Sequence, residues 1–590
     1  MLHDQDLLSV QEVRSKVDLA YAAWTIYKNF SQEQVDAVVE AMAAAGRAAA
    51  QELAELAVRE TGMGNVPDKI AKNLLNSDLL PRKIRSMKTV GILRELPEEK
   101  VIEIGVPVGV VAAILPTTNP TSTAIYKTII SLKGGNAVVI SPHPRAKECT
   151  CRTAELLYAA ACQAGAPENI IQCITNPTLE ATNALMRHPK TGVILSTGGS
   201  GIVRAAYSSG KPAFGVGPGN VPVFIDVHAD VPDAVAKAVE GKAFDYGTVC
   251  SSEQAIVAER SLRDTILAEL KKNGAYLLSA EERGKLERVL FKPGTAQISA
   301  ECVGQSSQKI AEIAGISVPA GARILVAEIE GVGRQHLFSA EKLSPVLAVY
   351  FPDTYAGCLE ACEKIIHFGG LGHTCVIFSN DEARVREFGL KMPAFRVLVN
   401  TPSPHGSTGI TTNVLPSMTL GCGAMAGNIT SDNVGPLHLI NIKRIAWAVR
   451  TAAEAFTVPL PGAATAAKPK SAVSAAVEKF LAQRGLSTAP AAKPQAAPLR
   501  SLVESVVDQF LASKPAAPTS APVCPVAPEP APQALEPPAP PVVIVDFVCE
   551  ADVRAAIAQN KKIYIGPKSI VTPSAREAAG PNEVLVLARR

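Results

Sequence analysis

The sequence predicts an α/β protein with a doubly wound parallel sheet, followed by an extension rich in proline and alanine. The runs VGVVAAIL (108–115) and NAVVIS (136–141) are apolar on both faces, as central strands of a parallel sheet are. Helical and strand-like segments alternate around these runs, which is the β-α-β rhythm of such folds. The composition then changes sharply near residue 458, where the extension begins.

The first predicted helix covers residues 31–60. Ser31 and Gln34 form a capping-box pattern at its start, and the glycines at 62 and 64 end it. Further along the chain, the predicted elements are a helix at 146–164, a strand at 170–174, and a strand, a glycine-rich turn and a helix start within TGVILSTGGSGIVRAA (191–206).

The extension has the composition of a linker. Residues 514–541 contain eleven prolines in 28 positions, and such a segment buries too little apolar surface to offset the entropy of ordering it. Two segments, 473–483 and 503–513, repeat one pattern, with two valines, a phenylalanine and a leucine on one helical face. These short amphipathic helices suggest docking to a partner. The alternative is that both fold back on the rest of the chain.

Charge and composition argue against several classes of function. A net charge of +3 over 590 residues gives no surface for a polyanion, so we expect no nucleic-acid partner. The apolar run at 106–115 has about half the length that spans a bilayer, and the first residues lack a signal-peptide pattern. The twelve cysteines are scattered without metal-ligand spacing, which predicts reduced thiols, no metal site and a cytoplasmic protein.

The candidate nucleophile is Cys250, which lies among small polar residues in FDYGTVCSSEQ (244–254). A thiolate that attacks an aldehyde forms a thiohemiacetal, and loss of hydride to a nicotinamide leaves a thioester. The amide of Asn119 and the backbone N–H of Cys250 are suitable donors for the oxyanion. The turn STGGSG (196–201) suits a phosphate, although such turns, like the Asn119–Pro120 pair, are often only turns.

From about residue 10 to 450 the chain resembles the aldehyde dehydrogenase superfamily, and most closely its CoA-acylating branch. The motifs behind this resemblance are ILPTTNPT (114–121), STGGSG, EKLSPVL (341–347) and GGLGHTCVIFS (369–379). The segment SPHPRAK (141–147) stands where hydrolytic members carry a lysine for the adenosine ribose, which is absent here. The resemblance implies a Rossmann-type dinucleotide-binding domain with an α/β catalytic domain, and cofactor-binding roles for Thr117, Ser141, Pro142, His143, Gly198, Gly199, Glu341 and Leu343.

One departure decides the expected product. Hydrolytic members carry a glutamate that activates water, whereas GVGPGNVP (215–222) has Val216 at that position. Coenzyme A is therefore the expected acyl acceptor, with Cys250, Asn119 and His373 as catalytic residues. His373 would help to deprotonate the CoA thiol or bind a phosphate, and a structural role stays open. The alternatives are a hydrolytic dehydrogenase that releases free acid and a non-catalytic scaffold that organises a shell.

The resemblance also implies NAD as cofactor, acetaldehyde or propionaldehyde as substrate, and a homodimer or homotetramer. The tail repeats resemble encapsulation peptides, which predicts shell proteins as partners of 473–483 and 503–513 and the lumen of a bacterial microcompartment as the location. Five domains are predicted. Residues 1–225 bind the dinucleotide and include part of an oligomerisation arm near 90–107, residues 226–430 are the catalytic domain, and residues 431–457 are an oligomerisation or return segment. Residues 458–541 are the linker with two helices, and residues 542–590 are a module without an assigned role, with the predicted order strand, helix, strand, turn, strand.

Overall fold

The computed structural model describes residues 4–458, 479–480, 483, 544–559, 561–579 and 584–587. The chain divides into two compact units, residues 1–463 and 464–590. The first unit begins with a helical region. Its helices are α1 (Gln5–Tyr27), α2 (Gln32–Ala48), α3 (Ala50–Thr61), α4 (Val66–Leu74) and α5 (Leu80–Ile84), with one π-helical turn at Leu75–Leu79.

The helix predicted over 31–60 is two helices, which corrects the expectation. Its start is confirmed, because Ser31 and Gln34 form the reciprocal capping box. Its end is confirmed as well, because Gly62 caps α3 with a φ of 67°. Between them Ala49 leaves the helical region at φ −93° and ψ 5°. No glycine or proline marks this break, so packing rather than local propensity sets it.

An antiparallel hairpin, β1 (Gly91–Leu96) and β2 (Val101–Pro107), leads into a five-stranded parallel sheet. The strand order in that sheet is β5-β4-β3-β6-β7. Its strands are β3 (Val110–Ile114), β4 (Ala137–Ser141), β5 (Ile171–Cys173), β6 (Thr191–Thr197) and β7 (Ala213–Val216), and its helices are α6 (Pro120–Lys133), α7 (Lys147–Gln163), α8 (Leu179–Arg187) and α9 (Ser200–Tyr207). The strands predicted from apolar runs are thus confirmed, and β3 and β4 are buried along their whole length.

A seven-stranded parallel sheet follows, in the order β10-β11-β12-β9-β8-β13-β14. Its strands are β8 (Val221–Ile225), β9 (Glu253–Ala258), β10 (Ala275–Leu277), β11 (Ile324–Glu328), β12 (Val346–Tyr350), β13 (Gly372–Phe378) and β14 (Ala394–Val399). Its helices are α10 (Val231–Ala243), α11 (Arg263–Lys272), α12 (Ala280–Leu290), α13 (Ser307–Ala314), α14 (Tyr355–Gly369), α15 (Glu382–Lys391) and α16 (Ser403–Ser407). The predicted domain boundary at residue 225 falls after β8, whereas the chain already changes sheets between β7 and β8.

The chain then returns to the hairpin. Strand β15 (Ile440–Ala446) pairs antiparallel with β2, from Ile440 opposite Pro107 to Ala446 opposite Val101, and a short helix α17 (Ala452–Ala455) follows. Glu103 of β2 is buried between two arginines. Its carboxylate accepts from Arg94 of β1 at 2.5 Å and from Arg444 of β15 at 3.0 Å. One acidic side chain therefore joins all three strands of this sheet.

The second unit contains a small three-stranded parallel sheet in the order β16-β17-β18. Its elements are β16 (Ile544–Val548), α18 (Glu550–Ala558), β17 (Ile563–Val571), α19 (Pro573–Ala579) and β18 (Leu585–Leu587). The predicted turn in this module is the helix α19, which supplies the crossover that two parallel strands need. The predicted helices at 473–483 and 503–513 lie outside the described residues, apart from 479, 480 and 483. Across the described ranges, no helix has both the length and the apolar character needed to cross a bilayer.

Candidate active site

A cavity of about 650 Å³ opens at the carboxyl edge of the five-stranded sheet. The last residues of β3, β4, β6 and β7 all reach its wall, and this edge is where open parallel sheets bind ligands. Ten of the eleven predicted site residues line it, namely Thr117, Asn119, Ser141, Pro142, His143, Gly198, Gly199, Cys250, Glu341 and Leu343. His373 is the exception.

The turn between β6 and α9 forms one side of the cavity. Gly199 is the N-cap of α9, and a Cβ added there would have no heavy atom within 4 Å. The hydroxyl of Thr197, at the end of β6, is buried without a hydrogen-bond partner among the described residues. An open helix N-terminus beside an unpaired hydroxyl can accept an anionic group such as a pyrophosphate.

Residues after β4 form the neighbouring wall. Ser141 ends the strand, and its hydroxyl lies 3.1 Å from that of Thr182 on α8. The His143 ring caps the following turn, since its Nδ1 accepts from the backbone N–H of Arg145 at 3.1 Å. Burial lowers the pKa of His143, which keeps the ring neutral. Arg145 also lines the cavity and adds a cation that the sequence reasoning had missed.

Cys250 lies on the short segment that connects a 3-10 turn (Phe244–Gly247) to β9. Its side chain is only partly exposed. Burial, helped by the nearby Glu341 and Cys422, raises the pKa of the Cys250 thiol to about 12, while Arg396 acts in the opposite direction. Gly219 packs directly against this segment, because a methyl group at that position would collide with the carbonyl oxygen of Cys250.

Asn119 follows β3 and begins α6, which brings its amide into the cavity that holds Cys250. The amide nitrogen donates to the carbonyl of Thr248 at 3.2 Å and to the hydroxyl of Thr118 at 3.1 Å. Its Oδ1 accepts from the ammonium of Lys72, a residue of α4. This contact was absent from the sequence reasoning.

Glu341 is held by the backbone of the turn after β7. Its Oε1 accepts from the N–H of Gly219 at 3.0 Å. Burial raises the pKa of the Glu341 carboxyl to about 7, although Gly219 and Lys242 favour its charged form. Leu343, two residues further on, has a φ of 32° and also lines the cavity.

Val216 ends β7 and is buried in the cavity wall. Among the described residues that line this cavity, Glu341 is the one carboxylate. Elsewhere in the described residues, no three His, Cys, Asp or Glu side chains are grouped so that they could hold a metal ion.

His373 is fully buried in β13, behind the wall of the cavity. A Cβ built on Gly219 would lie 3.2 Å from Cε1 of this ring, so His373 is next to the backbone that supports Cys250. Its Nδ1 is 2.9 Å from the hydroxyl of Thr374, and its Nε2 has no partner among the described residues. Burial and Arg396 lower the pKa of His373 to about 3, which makes the ring neutral near pH 7.

Sequence models and known proteins place this chain in one family. The model of the aldehyde dehydrogenase family matches residues 3–283. The chain is 45% identical over 443 residues to the bifunctional aldehyde-alcohol dehydrogenase AdhE of Escherichia coli, covering 74% of this chain and 50% of that protein. It is 38% identical to the succinate-semialdehyde dehydrogenase (acetylating) of Clostridium kluyveri, covering 75% of this chain and 96% of that protein. The chain thus spans about half the length of the bifunctional relative.

Solved structures agree with these relatives. An acetylating aldehyde dehydrogenase from Geobacillus thermoglucosidasius is 49% identical with a TM-score of 0.75, over 76% of this chain and 99% of that one. A propionaldehyde dehydrogenase from the fucose utilisation microcompartment of Clostridium phytofermentans is 28% identical with a TM-score of 0.67, over 74% and 97%. A propionaldehyde dehydrogenase from Rhodopseudomonas palustris with bound propionyl-CoA has the same identity and TM-score, over 74% and 94%. The chain therefore belongs to the aldehyde dehydrogenase family.

Proposed function

We propose that this chain oxidises a short-chain aldehyde with NAD and transfers the acyl group to coenzyme A through a thioester on Cys250. Relatives whose names record acetylation match along nearly their whole length, and a structural neighbour was solved with propionyl-CoA. The open N-terminus of α9 and the unpaired Thr197 hydroxyl fit a dinucleotide cofactor. Thr117, Ser141, Pro142, His143, Gly198, Gly199, Glu341 and Leu343 would hold it.

The proposed chemistry uses groups that share one cavity. The Cys250 sulfur attacks the aldehyde carbon, while the Asn119 amide and the Cys250 backbone N–H donate to the developing oxyanion. A bound nicotinamide supplies the acceptor for the hydride. The CoA sulfur then attacks the thioester, the bond to the Cys250 sulfur breaks, and the departing Cys250 thiolate takes up the proton of the CoA thiol. His373 lies behind the wall of this cavity and its pKa is lowered to about 3, so its part in deprotonating the CoA thiol stays a prediction.

The observation that carries the choice of acceptor is Val216. A glutamate at this wall would activate water against the thioester, but the buried valine has no group that can accept a proton. Glu341, the other candidate, is engaged with Gly219 and is assigned to the cofactor ribose. The thioester therefore survives until a thiol arrives.

Product analysis tests this proposal. NADH formation is measured with aldehydes of two to four carbons, with and without CoA, and products are identified by mass spectrometry. Acyl-CoA with little free acid is expected. Val216→Glu should raise the share of free acid, whereas the matched neutral variant Val216→Gln should not. Mostly free acid from the wild type in the presence of CoA would contradict the proposal.

The remaining assignments belong to the same proposal. Acetaldehyde or propionaldehyde is the proposed substrate, with NAD rather than NADP as cofactor and a homodimer or homotetramer as the assembly. The repeats at 473–483 and 503–513 would bind shell proteins and place the enzyme in a microcompartment lumen. A relative of similar fold that comes from a microcompartment supports this location.

A further inference from the structure

A buried group of charges lies behind Asn119. Lys69 and Lys72 of α4 both contact Oδ2 of Asp245, and all three side chains are at most 2% exposed. The Lys69 distance is 3.1 Å. Asp245 also accepts from the backbone N–H of Asn65 at 2.9 Å. Buried ion pairs cost desolvation and are seldom optimal for stability alone, so this group needs a further explanation.

Only one of the two lysines contacts the catalytic amide. Lys72 donates to Oδ1 of Asn119, whereas Lys69 donates to the backbone carbonyl of Thr118 at 3.0 Å. An ammonium has donors and no acceptor, so Lys72 must face the oxygen of the amide. The nitrogen of Asn119 is thereby fixed as the donor end of the amide. Its acceptors in this structure are the Thr248 carbonyl and the Thr118 hydroxyl, so an oxyanion would replace one of these two acceptors.

We propose that Lys72 is a positioning residue that orients and polarises the Asn119 amide for the oxyanion, with Asp245 as its anchor. This inference rests on the proposed function of the site. Asp245 is suited to the role because it lies five residues before Cys250 and adopts a φ of 45°, so the anchor and the nucleophile share one rigid segment. The charge of Lys72 strengthens the amide as a donor in a place without solvent.

The proton of Lys72 should be lost in an accessible pH range. Burial lowers the pKa of Lys72 to about 8, against the opposing effect of Asp245. The charged or titratable groups that act on it are Asp245, Lys69 and Asp68. Because the pKa of a lysine is lowered here, its charge is present below about pH 8 and is lost above it. Stabilisation of the oxyanion should weaken in the same direction.

Two matched variants test the role. Lys72→Met and Lys69→Met each remove one buried ammonium beside Asp245, but only the first removes a contact with Asn119. The readout is the burst of NADH and acyl-enzyme formed without CoA, together with KM for NAD. We expect Lys72→Met to slow the burst about 10- to 100-fold with KM within about twofold, and Lys69→Met to slow it by less than about threefold. Equal losses in both variants would overturn the proposal.

A double-mutant cycle makes the test specific. In an Asn119→Ala background Lys72→Met should cost almost nothing further, whereas fully additive losses would refute the coupling. If Lys72→Met does not fold, the ratio of the wild-type burst rate to the Asn119→Ala burst rate is the readout, because the rise in Cys250 thiolate with pH is common to both proteins. This ratio should fall above about pH 8, and a ratio that stays constant from about pH 7 to about pH 9 would overturn the inference. A wild type that gives no burst with any aldehyde would instead refute the proposed function.

A second, independent observation concerns two cysteines away from this site. Sγ of Cys151, on α7, lies 3.1 Å from Sγ of Cys173, at the end of β5, and both side chains are partly exposed. Lys16 of α1 donates to the carbonyl of Cys173, which places a cation beside the pair. The pKa of Cys151 is lowered by its hydrogen bond with Cys173 and by Lys16.

We infer that Cys151 and Cys173 form a reversible disulfide when a peroxide is the oxidant. The Cys151 thiolate takes one peroxide oxygen to give a sulfenic acid and hydroxide, and the Cys173 thiol then displaces that oxygen as water. Two thiols and one hydrogen peroxide thus give one disulfide and two waters. A dithiol reductant returns both thiols.

Peptide mapping after treatment with hydrogen peroxide tests this inference. A peptide that links Cys151 to Cys173 is expected, lighter by two hydrogens and lost after dithiothreitol. Cys151→Ser and Cys173→Ser should each abolish it, while Cys162→Ser, on the same helix, should leave it intact. Absence of the linked peptide under conditions that oxidise other thiols of the chain, or its persistence in Cys151→Ser, would overturn the inference.

Discussion

Cys250, the proposed nucleophile, lines the cavity and has a raised pKa, which gives it a low resting reactivity. Because burial raises its pKa to about 12, the thiol is protonated in the free protein at neutral pH. A positively charged nicotinamide placed beside it would favour the thiolate, so activation should depend on cofactor binding. This arrangement limits side reactions of the nucleophile before the substrates are present.

Alkylation kinetics should report this raised pKa. Below about pH 10 the rate of inactivation by iodoacetamide should increase about tenfold per pH unit without a plateau, since the thiolate fraction rises in that proportion. Residual activity is the readout for the wild type. Cys250→Ala should lose turnover while still binding NAD, so the iodoacetamide it takes up measures labelling of the other cysteines. A plateau near pH 8 would show that the free thiol is more acidic than the structure indicates.

Glu341 should make cofactor affinity depend on pH. Its pKa is raised to about 7, so the carboxyl is protonated below that pH and charged above it. A carboxylate is the stronger acceptor for ribose hydroxyls. We expect NAD to bind at least about threefold more weakly at pH 6 than at pH 8, as measured by titration calorimetry. Glu341→Gln should bind NAD equally at pH 6 and pH 8. If NAD binding by the wild type did not depend on pH in this range, the assignment of Glu341 to the cofactor site would be wrong.

Motif reasoning found ten residues that line the cavity and His373 behind it, but it missed Arg145 in the lining and Lys72 behind Asn119. Cys250, Asn119 and Glu341 stand in short patterns whose chemistry can be named from the sequence. Lys72 reads as an ordinary solvated lysine of a short helix, and its partner Asp245 is 173 residues away. No local pattern indicates that such a lysine is buried, because burial depends on how distant elements meet.

At the level of elements, the turn between β7 and β8 holds two parts of the candidate site in place. It carries Gly219, which touches the carbonyl of Cys250 and donates to Glu341. The strands on either side belong to different sheets. This one turn therefore connects the two sheets and contacts both Cys250, the proposed nucleophile, and the Glu341 carboxylate.

Two alanine substitutions in this turn should distinguish the loss of the close contact between Gly219 and Cys250 from a general effect on folding. Gly219→Ala should reduce kcat at least about 100-fold, because its methyl group displaces the Cys250 segment, and a misplaced nucleophile is costly. Gly217→Ala is the control for folding, since a Cβ there meets no heavy atom within 4 Å. Gly217→Ala should keep a Tm near that of wild type, whereas Gly219→Ala should lower it because its methyl group overlaps a backbone carbonyl. Nearly normal kcat in Gly219→Ala would mean that the turn is free to move.

Element prediction succeeded where periodicity and caps agree. The buried strands β3 and β4 and the capping box of α2 follow directly from residue patterns. The break at Ala49 and the helix α19 do not, since the first lies among good helix formers and the second begins at a proline and was read as a turn. Packing against other elements decides such cases.

At the scale of the whole molecule, the catalytic unit and the extension should be separable. Deleting 458–541 should leave kcat and KM within about twofold and abolish co-sedimentation with intact compartments. Replacing Phe480 and Phe510 together with Asp should have the same effect, because each predicted helix would bind its proposed shell partner weakly and the two would act together through effective concentration. Either single change should weaken co-sedimentation only in part. If the double variant sediments like the wild type, the two repeats are not the docking element, and residues 542–590 become the next candidate.

The order of strands was beyond the reach of the sequence. Alternating elements predict parallel sheets. Only long-range pairing decides that β13 lies beside β8 and that β2 pairs with β15. The change of sheet before β8, rather than after residue 225, has the same origin. Local pattern indicates which elements form, and the global packing decides where each one lies.

The buried Glu103 of the three-stranded antiparallel sheet has a consequence for synthesis on the ribosome. About 330 residues separate Pro107 from its partner Ile440, so at about 5 to 20 residues per second the outer edge of β2 stays open for roughly 20 to 60 s. During that interval Glu103 is paired with Arg94 through Oε2 alone, and a charged side chain on an open strand edge discourages pairing with other nascent chains. When β15 has been synthesised, Arg444 forms an ion pair with Glu103. The charge of the carboxylate is then compensated, and β15 pairs with the open edge of β2.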